Sequence, residues 1–361
     1  MTCGTVQRDC VNRRTSGNTS GKGTGARWKT RSRHPSSLQE DALLVPEGPR
    51  AFQVKPEAEA MIDVDAASVV SEFPGELSEE HLAQFEEFGY LAFENVLNAD
   101  EVEAANSALT EITVGLLERA KRGEARITTR EDATRNYAGV QVIDPELNYG
   151  IHFEAGIDPL SMDPWVAETK FRKLHGYHQA HPVFVHLATE HPNIVGPMAK
   201  VIGEEVILKA EMALSKPPFI GSEKPWHQDN AYFNWLPLEK VATAWIALDD
   251  ATIENGCMHV LPGGHKLGAL RHHHTIDCEI LPDRFDRSQG VAIPMKAGAV
   301  MFFSAMLPHQ TPPNITAERR RALQFQYRGE TTVQVSKEEF GEVFSEVDGT
   351  PASCALAYEN G

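Results

Sequence analysis

Three runs decide the fold: Val206-Ile207-Leu208-Lys209-Ala210-Glu211-Met212-Ala213-Leu214-Ser215, then Trp226-His227-Gln228-Asp229-Asn230-Ala231-Tyr232-Phe233, then Val241-Ala242-Thr243-Ala244-Trp245-Ile246-Ala247-Leu248. Each is short and rich in apolar, aromatic or β-branched residues, the composition of a strand. The third is continuous apart from Thr243, and far too short to span a membrane. Further runs of the same kind follow at 257–261, 291–294, 299–303 and 322–327. Turn residues separate many of them: Pro217-Pro218, Asn255-Gly256, Pro262-Gly263-Gly264 and Pro312-Pro313-Asn314. Many short strands punctuated in this way predict a sandwich or barrel.

Upstream the texture is helical. Ser78 is expected to cap a helix over 79–88 that Gly89 ends. A strand is expected over 90–96, then a long helix capped by Asp100 and reaching about residue 121. Two more helices are expected at 181–189 and 194–202. Helices followed by a series of strands predict a mainly β fold with flanking helices (α+β), most simply a double-sheet jelly roll. The expected division is a weakly structured tail over 1–75, a folded domain over 76–335, and a C-terminal helix and tail over 336–361.

The chain of 361 residues carries a formal charge of −17. Residues 1–35 hold eight Lys or Arg and one Asp, so the remainder carries −24. The first stretch offers only Val6, Val11 and Trp28 as larger apolar side chains beyond Met1, too little to offset its ordering entropy. The acidic remainder argues against a nucleic-acid groove or a polybasic membrane surface. Five scattered cysteines, with no two-residue spacing among them, argue against a disulfide framework or a Cys-based zinc site. They suit a reducing compartment. With no apolar run near the start and no peroxisomal tripeptide at the end, a cytoplasmic location is expected.

Fifteen histidines invite a metal hypothesis. With 51 acidic residues in the chain, chance supplies about two His-x-Asp/Glu pairs. The chain has two, His152–Glu154 and His227–Asp229, so context must choose between them. His227 and Asp229 fall in the β-rich half, where residues two apart share a face of a strand. His152–Glu154 lies among Gly150, Gly156 and Pro159 and reads as a loop pair. A two-His-one-carboxylate site needs a second His from another strand. His309, after the strand over 299–303 and before a Pro-Pro-Asn turn, is the best candidate. Arg320 opens the next strand, and its planar fork suits a carboxylate. Period two sets Arg320 with Ala322 and Gln324, opposite Arg319, Arg321, Leu323 and Phe325. The His272–His274 cluster, eleven residues ahead of Arg284 at His273, reads as a solvated loop. His175, His178 and His181 read as the wall of a helix or pocket.

Lys216-Pro217-Pro218, Trp226-His227-Gln228-Asp229, Asn255-Gly256-Cys257, Leu261-Pro262-Gly263-Gly264-His265 and His309…Asn314…Arg320 together resemble the phytanoyl-CoA dioxygenase family over roughly residues 77–335. The resemblance implies a double-stranded β-helix holding iron(II) and using 2-oxoglutarate and O2, with succinate and CO2 as co-products. It assigns iron to His227, Asp229 and His309, and the distal carboxylate of 2-oxoglutarate to Arg320 and Thr311. Trp245, Met212, Lys173 and Gln228 fall in the co-substrate pocket by the same resemblance. Asp229 stands where related halogenases carry a small residue, so the implied reaction is hydroxylation of an aliphatic C–H. The aromatic side chains Trp226, Tyr232, Phe233 and Trp235 could line an apolar substrate pocket or pack the sheet. A small-molecule substrate is expected, without nucleic acid or membrane. Two other readings use the same residues: a zinc hydrolase on a cupin-like barrel, which leaves Arg320 without a task, and a non-catalytic ligand-binding jelly roll.

Overall fold

Both faces of the strand Val241–Ala247 are covered, which is why its sequence runs apolar without alternating. The computed structural model describes residues 70–130, 139–274 and 277–354. In it this strand lies inside a ten-stranded sheet. The order is Ser71–Glu72, Tyr90–Glu94, Val300–Ser304, Val241–Ala247, Arg320–Gly329, Val206–Lys216, Phe171–His175, Gly150–Phe153, Gly139–Ile143 and Arg126–Arg130. Every pairing is antiparallel except that of Ser71–Glu72 with Tyr90–Glu94.

Period two sorts the side chains of the central strands into two cores. Ala242, Ala244 and Ile246 join Val300, Phe302, Leu323 and Phe325 against Ala105 and Leu109 of the helix Ala99–Lys121. The alternate residues Trp245 and Ala247 join Met301, Phe303 and Ala322 against Met258, Val260 and Ile293. The last three belong to a four-stranded sheet in the order Val291–Ile293, Met258–Val260, His309–Thr311, Lys224–His227. Helices thus cover one face of the large sheet and a small sheet covers the other, the double-sheet jelly roll.

The helix Glu79–Phe88 starts at Ser78 and ends at Gly89, whose φ of 82° suits glycine. The long helix Ala99–Lys121 is capped by Asn98, two residues earlier than Asp100. Asn98 accepts from the Glu101 N–H while Glu101 reaches back to the Asn98 N–H, a reciprocal pair that starts the helix at Ala99 and leaves Asp100 inside its first turn. The helices Pro182–Thr189 and Pro192–Ile202 each begin on proline, whose missing N–H costs nothing in a first turn.

Of the expected tail, residues 1–69 lie outside the described residues; Ser71–Glu72 is already paired, ahead of Leu77. At the other end the helix Lys337–Val343 packs Phe340, and Phe344 beyond it, with Ala231 and Met306. Cys278 and Cys354 are joined as a disulfide with their Cα atoms 6.0 Å apart. This corrects the expectation of unpaired cysteines: 76 residues separate the two, a distance only the fold closes. Cys257 is free and buried, whereas Cys3 and Cys10 lie outside the described residues.

Phe302 is fully buried between the large sheet and the helices. Its replacement by alanine is expected to cost about 3–5 kcal/mol of stability, measured as a lowered urea midpoint with unchanged slope. Ser78→Ala, at an exposed cap, is expected to cost about 0.5–2 kcal/mol in the same assay.

Candidate metal centre

His227 ends the strand Lys224–His227 and His309 begins the strand His309–Thr311, and the antiparallel register sets them directly opposite each other. Their ring centroids are 4.1 Å apart. Asp229 arrives differently from the expectation of a strand over 225–233. The strand stops at His227, and Asp229 opens the 3-10 turn Asp229–Tyr232. That turn carries its carboxylate back toward the two rings. Asp229 Oδ1 lies 3.6 Å from His227 Nε2 and 3.8 Å from His309 Nε2. One donor atom from each residue falls within 4.8 Å of the others, and all three residues are buried. Among the described residues no other trio of His, Cys, Asp or Glu meets this condition.

Hydrogen bonds orient each ligand. His227 Nδ1 lies 2.8 Å from the Pro225 carbonyl and His309 Nδ1 lies 2.9 Å from the Leu307 carbonyl. A carbonyl only accepts, so each Nδ1 carries the proton and each Nε2 turns a lone pair toward the centre. Thr243 Oγ1 donates to Asp229 Oδ2 at 2.7 Å, with Gln324 Nε2 at 3.4 Å from the same oxygen. Oδ1 is thereby left for a metal. Burial, then His309 and Lys224, hold His227 well below the ordinary imidazole range; burial also lowers His309. Burial would raise Asp229, but contacts with His227, His309 and Thr243 outweigh it and keep the carboxylate ionised. Two neutral imidazoles and one carboxylate are the donor set that suits a non-haem iron(II) site with open positions.

A cavity of about 520 Å³ opens beside the triad. Trp245, Gln324, Met212 and His175 stand in one register row across four strands of the large sheet, and all line it. Lys173 lies in the next row, opposite Leu214, and Thr311 faces the cavity from the small sheet. Arg320 is 1% exposed. Its Nη2 donates to the Gly256 carbonyl at 3.0 Å, while Nε and Nη1 have no hydrogen-bond partner. A buried guanidinium with two unpaired nitrogens in a cavity wall is what a carboxylate requires. Burial lowers it to about 10, so it stays charged at neutral pH. Gly256 permits the contact: at φ +85° a Cβ would strike the Pro312 carbonyl. The flanking cations turn away, Arg319 to Glu168 at 2.9 Å and Arg321 to Asp249 at 2.7 Å.

Gln228 is not in the cavity, which corrects its grouping with the co-substrate residues. Alternation points it outward, where Nε2 donates to the Gly268 and Met306 carbonyls, both at 2.8 Å, and Oε1 accepts from the Leu270 N–H at 2.9 Å. His272–His274 is a strand paired with Cys278–Ile280, not a solvated loop. His272 Nε2 accepts from the Gln228 N–H at 3.0 Å, bracing the ligand-bearing segment from behind. His152 sits on the strand Gly150–Phe153, and Glu154 accepts from Ser222 Oγ at 2.6 Å. His175 is on a strand, whereas His178 opens a 3-10 turn and bonds Glu211. Tyr232 and Phe233 line the cavity; Trp226 packs on Phe285 and Trp235 lies under Arg328. Sequence reasoning gave Lys216 no role and missed Lys224, Asp277 and the orienting Thr243. Only Thr243 carried a signal, as the one polar residue in the run over 241–248.

A family model described as Phytanoyl-CoA dioxygenase (PhyH) matches residues 85–322. The Bos taurus protein named phytanoyl-CoA dioxygenase domain-containing protein 1 is 28% identical over 264 residues, covering 69% of this chain and 89% of its own length. A phytanoyl-CoA dioxygenase of Arabidopsis thaliana is 26% identical over 257 residues, covering 69% and 87%. The solved non-heme alpha ketoglutarate dependent carbocyclase SnoK from nogalamycin biosynthesis is similar with a TM-score of 0.51 and 23% identity, over 72% of this chain and 86% of its own. EctD from S. alaskensis, solved with 2-oxoglutarate and 5-hydroxyectoine, gives 0.50 and 22%, over 75% and 80%. At those identities the two structures speak for the fold.

Gln228→Ala strands two carbonyls and an N–H in a buried setting, so a loss of about 2–4 kcal/mol is expected in chemical denaturation. At a temperature where the variant is folded, its 2-oxoglutarate affinity should equal that of the parent. A selective loss of that affinity would return Gln228 to the pocket.

Proposed function

The chain belongs to the phytanoyl-CoA dioxygenase family of iron(II)- and 2-oxoglutarate-dependent oxygenases, and from that premise we propose that it hydroxylates an aliphatic C–H of a small molecule, with succinate and CO2 as co-products. His227, Asp229 and His309 hold iron(II). Arg320 pairs with the distal carboxylate of 2-oxoglutarate, the Thr311 hydroxyl supports it, and Trp245 and Met212 flank the chain between. The single observation carrying this reading is the coincidence in one cavity of an oriented His-Asp-His trio and a buried guanidinium with two unpaired nitrogens.

Bound iron supplies the activation of O2 and the oxidation that side chains cannot perform. The protein residues orient and balance. Iron(II) and doubly charged 2-oxoglutarate cancel, and Arg320 balances Asp229, so the enclosed charges are each paired. Thr243 and the two backbone carbonyls keep the ligand atoms aimed while the remaining positions stay open. The covered faces of the two sheets keep bulk water from the reacting centre. A zinc hydrolase would use the trio but would leave the buried Arg320 without a partner, a cost that disfavours it. No helix among the described residues is long and apolar enough to cross a membrane.

Anaerobic addition of iron(II) and 2-oxoglutarate together should give a weak visible charge-transfer band, and His309→Ala should abolish it. Removing one partner of a buried charge pair costs about 3–5 kcal/mol, so Arg320→Gln is expected to weaken 2-oxoglutarate binding by roughly two to three orders of magnitude. Iron binding should persist. Arg319→Gln and Arg321→Gln, whose side chains leave the cavity, should change 2-oxoglutarate dependence little. Equal behaviour of all three variants would refute the assignment of Arg320.

A further inference from the structure

The oxygenase reading leaves the class of substrate open, and the strand Arg320–Gly329 bears on it. Arg320, Gln324 and Gln326 line the cavity in that order, all on one face of the strand. Arg320 serves the distal carboxylate of the co-substrate, and Gln324 Nε2 lies 3.4 Å from Asp229 Oδ2. Gln326 stands two residues farther along, directly opposite Thr243, the residue that braces Asp229. It therefore belongs to the wall beside the metal ligands, and nothing so far gives it a task.

Gln326 is 2% exposed, and among the described residues its Oε1 has no hydrogen-bond partner. Its neighbours explain why. A hydroxyl has one proton, and Thr243 gives it to Asp229 Oδ2 at 2.7 Å. Ala210, opposite Gln326 on the other neighbouring strand, has no polar side-chain atom. Arg328, two residues on, donates to Thr332 Oγ1 at 3.2 Å and lies over the Trp235 ring at 4.0 Å. An acceptor left unmet in a buried wall is costly, and a functional site is where such a cost is retained. The co-substrate does not meet it, because a doubly ionised keto diacid offers only acceptors. The adjoining strand narrows the choice further. Gln326 pairs with Ala210 and Tyr327 with Leu208, so Lys209 is an extra residue between them, a β-bulge. The bulge brings Lys209 to the cavity with Ala210, its ammonium 4.2 Å from the centre of the Phe233 ring. A cationic donor at Gln326 would be set beside that ammonium, so the donor that fits is neutral.

We infer that Gln326 determines specificity, and that the substrate is an aliphatic alcohol whose hydroxyl donates to Gln326 Oε1 next to the metal centre. A hydroxyl is the compact neutral donor that also accepts, so one group meets both ends of an amide. A site built around such a bond rejects the analogue that lacks the hydroxyl, because the buried acceptor is then left unpaired. An unfunctionalised alkyl chain is thus the wrong substrate for this wall. The inference rests on the oxygenase reading, and its test separates the two.

The full chain, loaded anaerobically with iron(II) and 2-oxoglutarate, is titrated with cyclohexanol and 1-hexanol, each against its methyl ether, while the visible band is followed. The ether keeps the oxygen as an acceptor and lacks only the donor. At least one alcohol is expected to shift the band and to bind about tenfold more tightly than its ether. Gln326→Leu should shrink that ratio to about twofold or less, with 2-oxoglutarate affinity unchanged. Its urea midpoint should equal or exceed that of the parent, since an apolar side chain leaves nothing unpaired. Gln326→Met, closer in shape, guards against a packing fault peculiar to leucine. No shift with either alcohol, equal binding of alcohol and ether, or a preference that survives in both variants would each overturn the inference alone. A lowered midpoint in both variants would do so by marking the amide as structural, and a selective loss of 2-oxoglutarate affinity by assigning it to the co-substrate. Absence of any band before titration would overturn the oxygenase reading and this inference with it.

Discussion

Keeping the Asp229 carboxylate ionised at 2% exposure is the constraint on which the rest of the site depends. An ion so placed costs several kcal/mol unless it is paired and hydrogen-bonded. The fold answers with Thr243 on one oxygen and two imidazole edges beside the other. Each of these comes from a different segment: the central strand of the large sheet, the edge strand of the small sheet, and its neighbour. Two backbone carbonyls, of Pro225 and Leu307, then decide which ring nitrogen faces the centre. The donor set is thus assembled by main-chain geometry and packing before any metal arrives, at the usual cost of holding neutral rings and a bare carboxylate close together.

The large sheet makes that assembly possible because it is buried on both faces. Its outer residues, such as Phe302 and Leu323, anchor it to the helices, and its inner residues, such as Trp245 and Gln324, are free to form a wall. The register of the strands Val241–Ala247, Arg320–Gly329, Val206–Lys216 and Phe171–His175 converts alternation along each strand into rows across them. Arg320 falls at the end of one strand where the Gly256 turn passes, and that turn supplies its one protein acceptor. The same strand sends Arg319 and Arg321 to the other side, to Glu168 and Asp249. Period two therefore separates a site cation from two structural ones in a run of three arginines.

Much of this was legible in the residues, for physical reasons. The run over 241–248 reads as a strand, Ser78 and Gly89 mark the ends of a helix, and the Pro-Pro-Asn turn places His309 at a strand boundary. Where the reading differed, the deciding interaction was long-range or depended on a turn. Gln228 is assigned to the pocket by resemblance alone, but alternation sends it to the carbonyls of Gly268 and Met306. His272–His274 reads as a loop because its His-rich run shows no alternation, yet its partner strand Cys278–Ile280 follows directly, and only its contact with Gln228 is long-range.

By itself the sequence determined the alternation, the turn positions and the one polar break at Thr243, since these depend on neighbours a few residues apart. Tertiary structure decided that Asp229 returns on a 3-10 turn, that Cys278 meets Cys354, and that Lys173, Lys216 and Lys224 gather in one cavity. Local pattern specifies which face a side chain takes, but the charge a buried group meets depends on strands far off in the chain, and only packing brings those together.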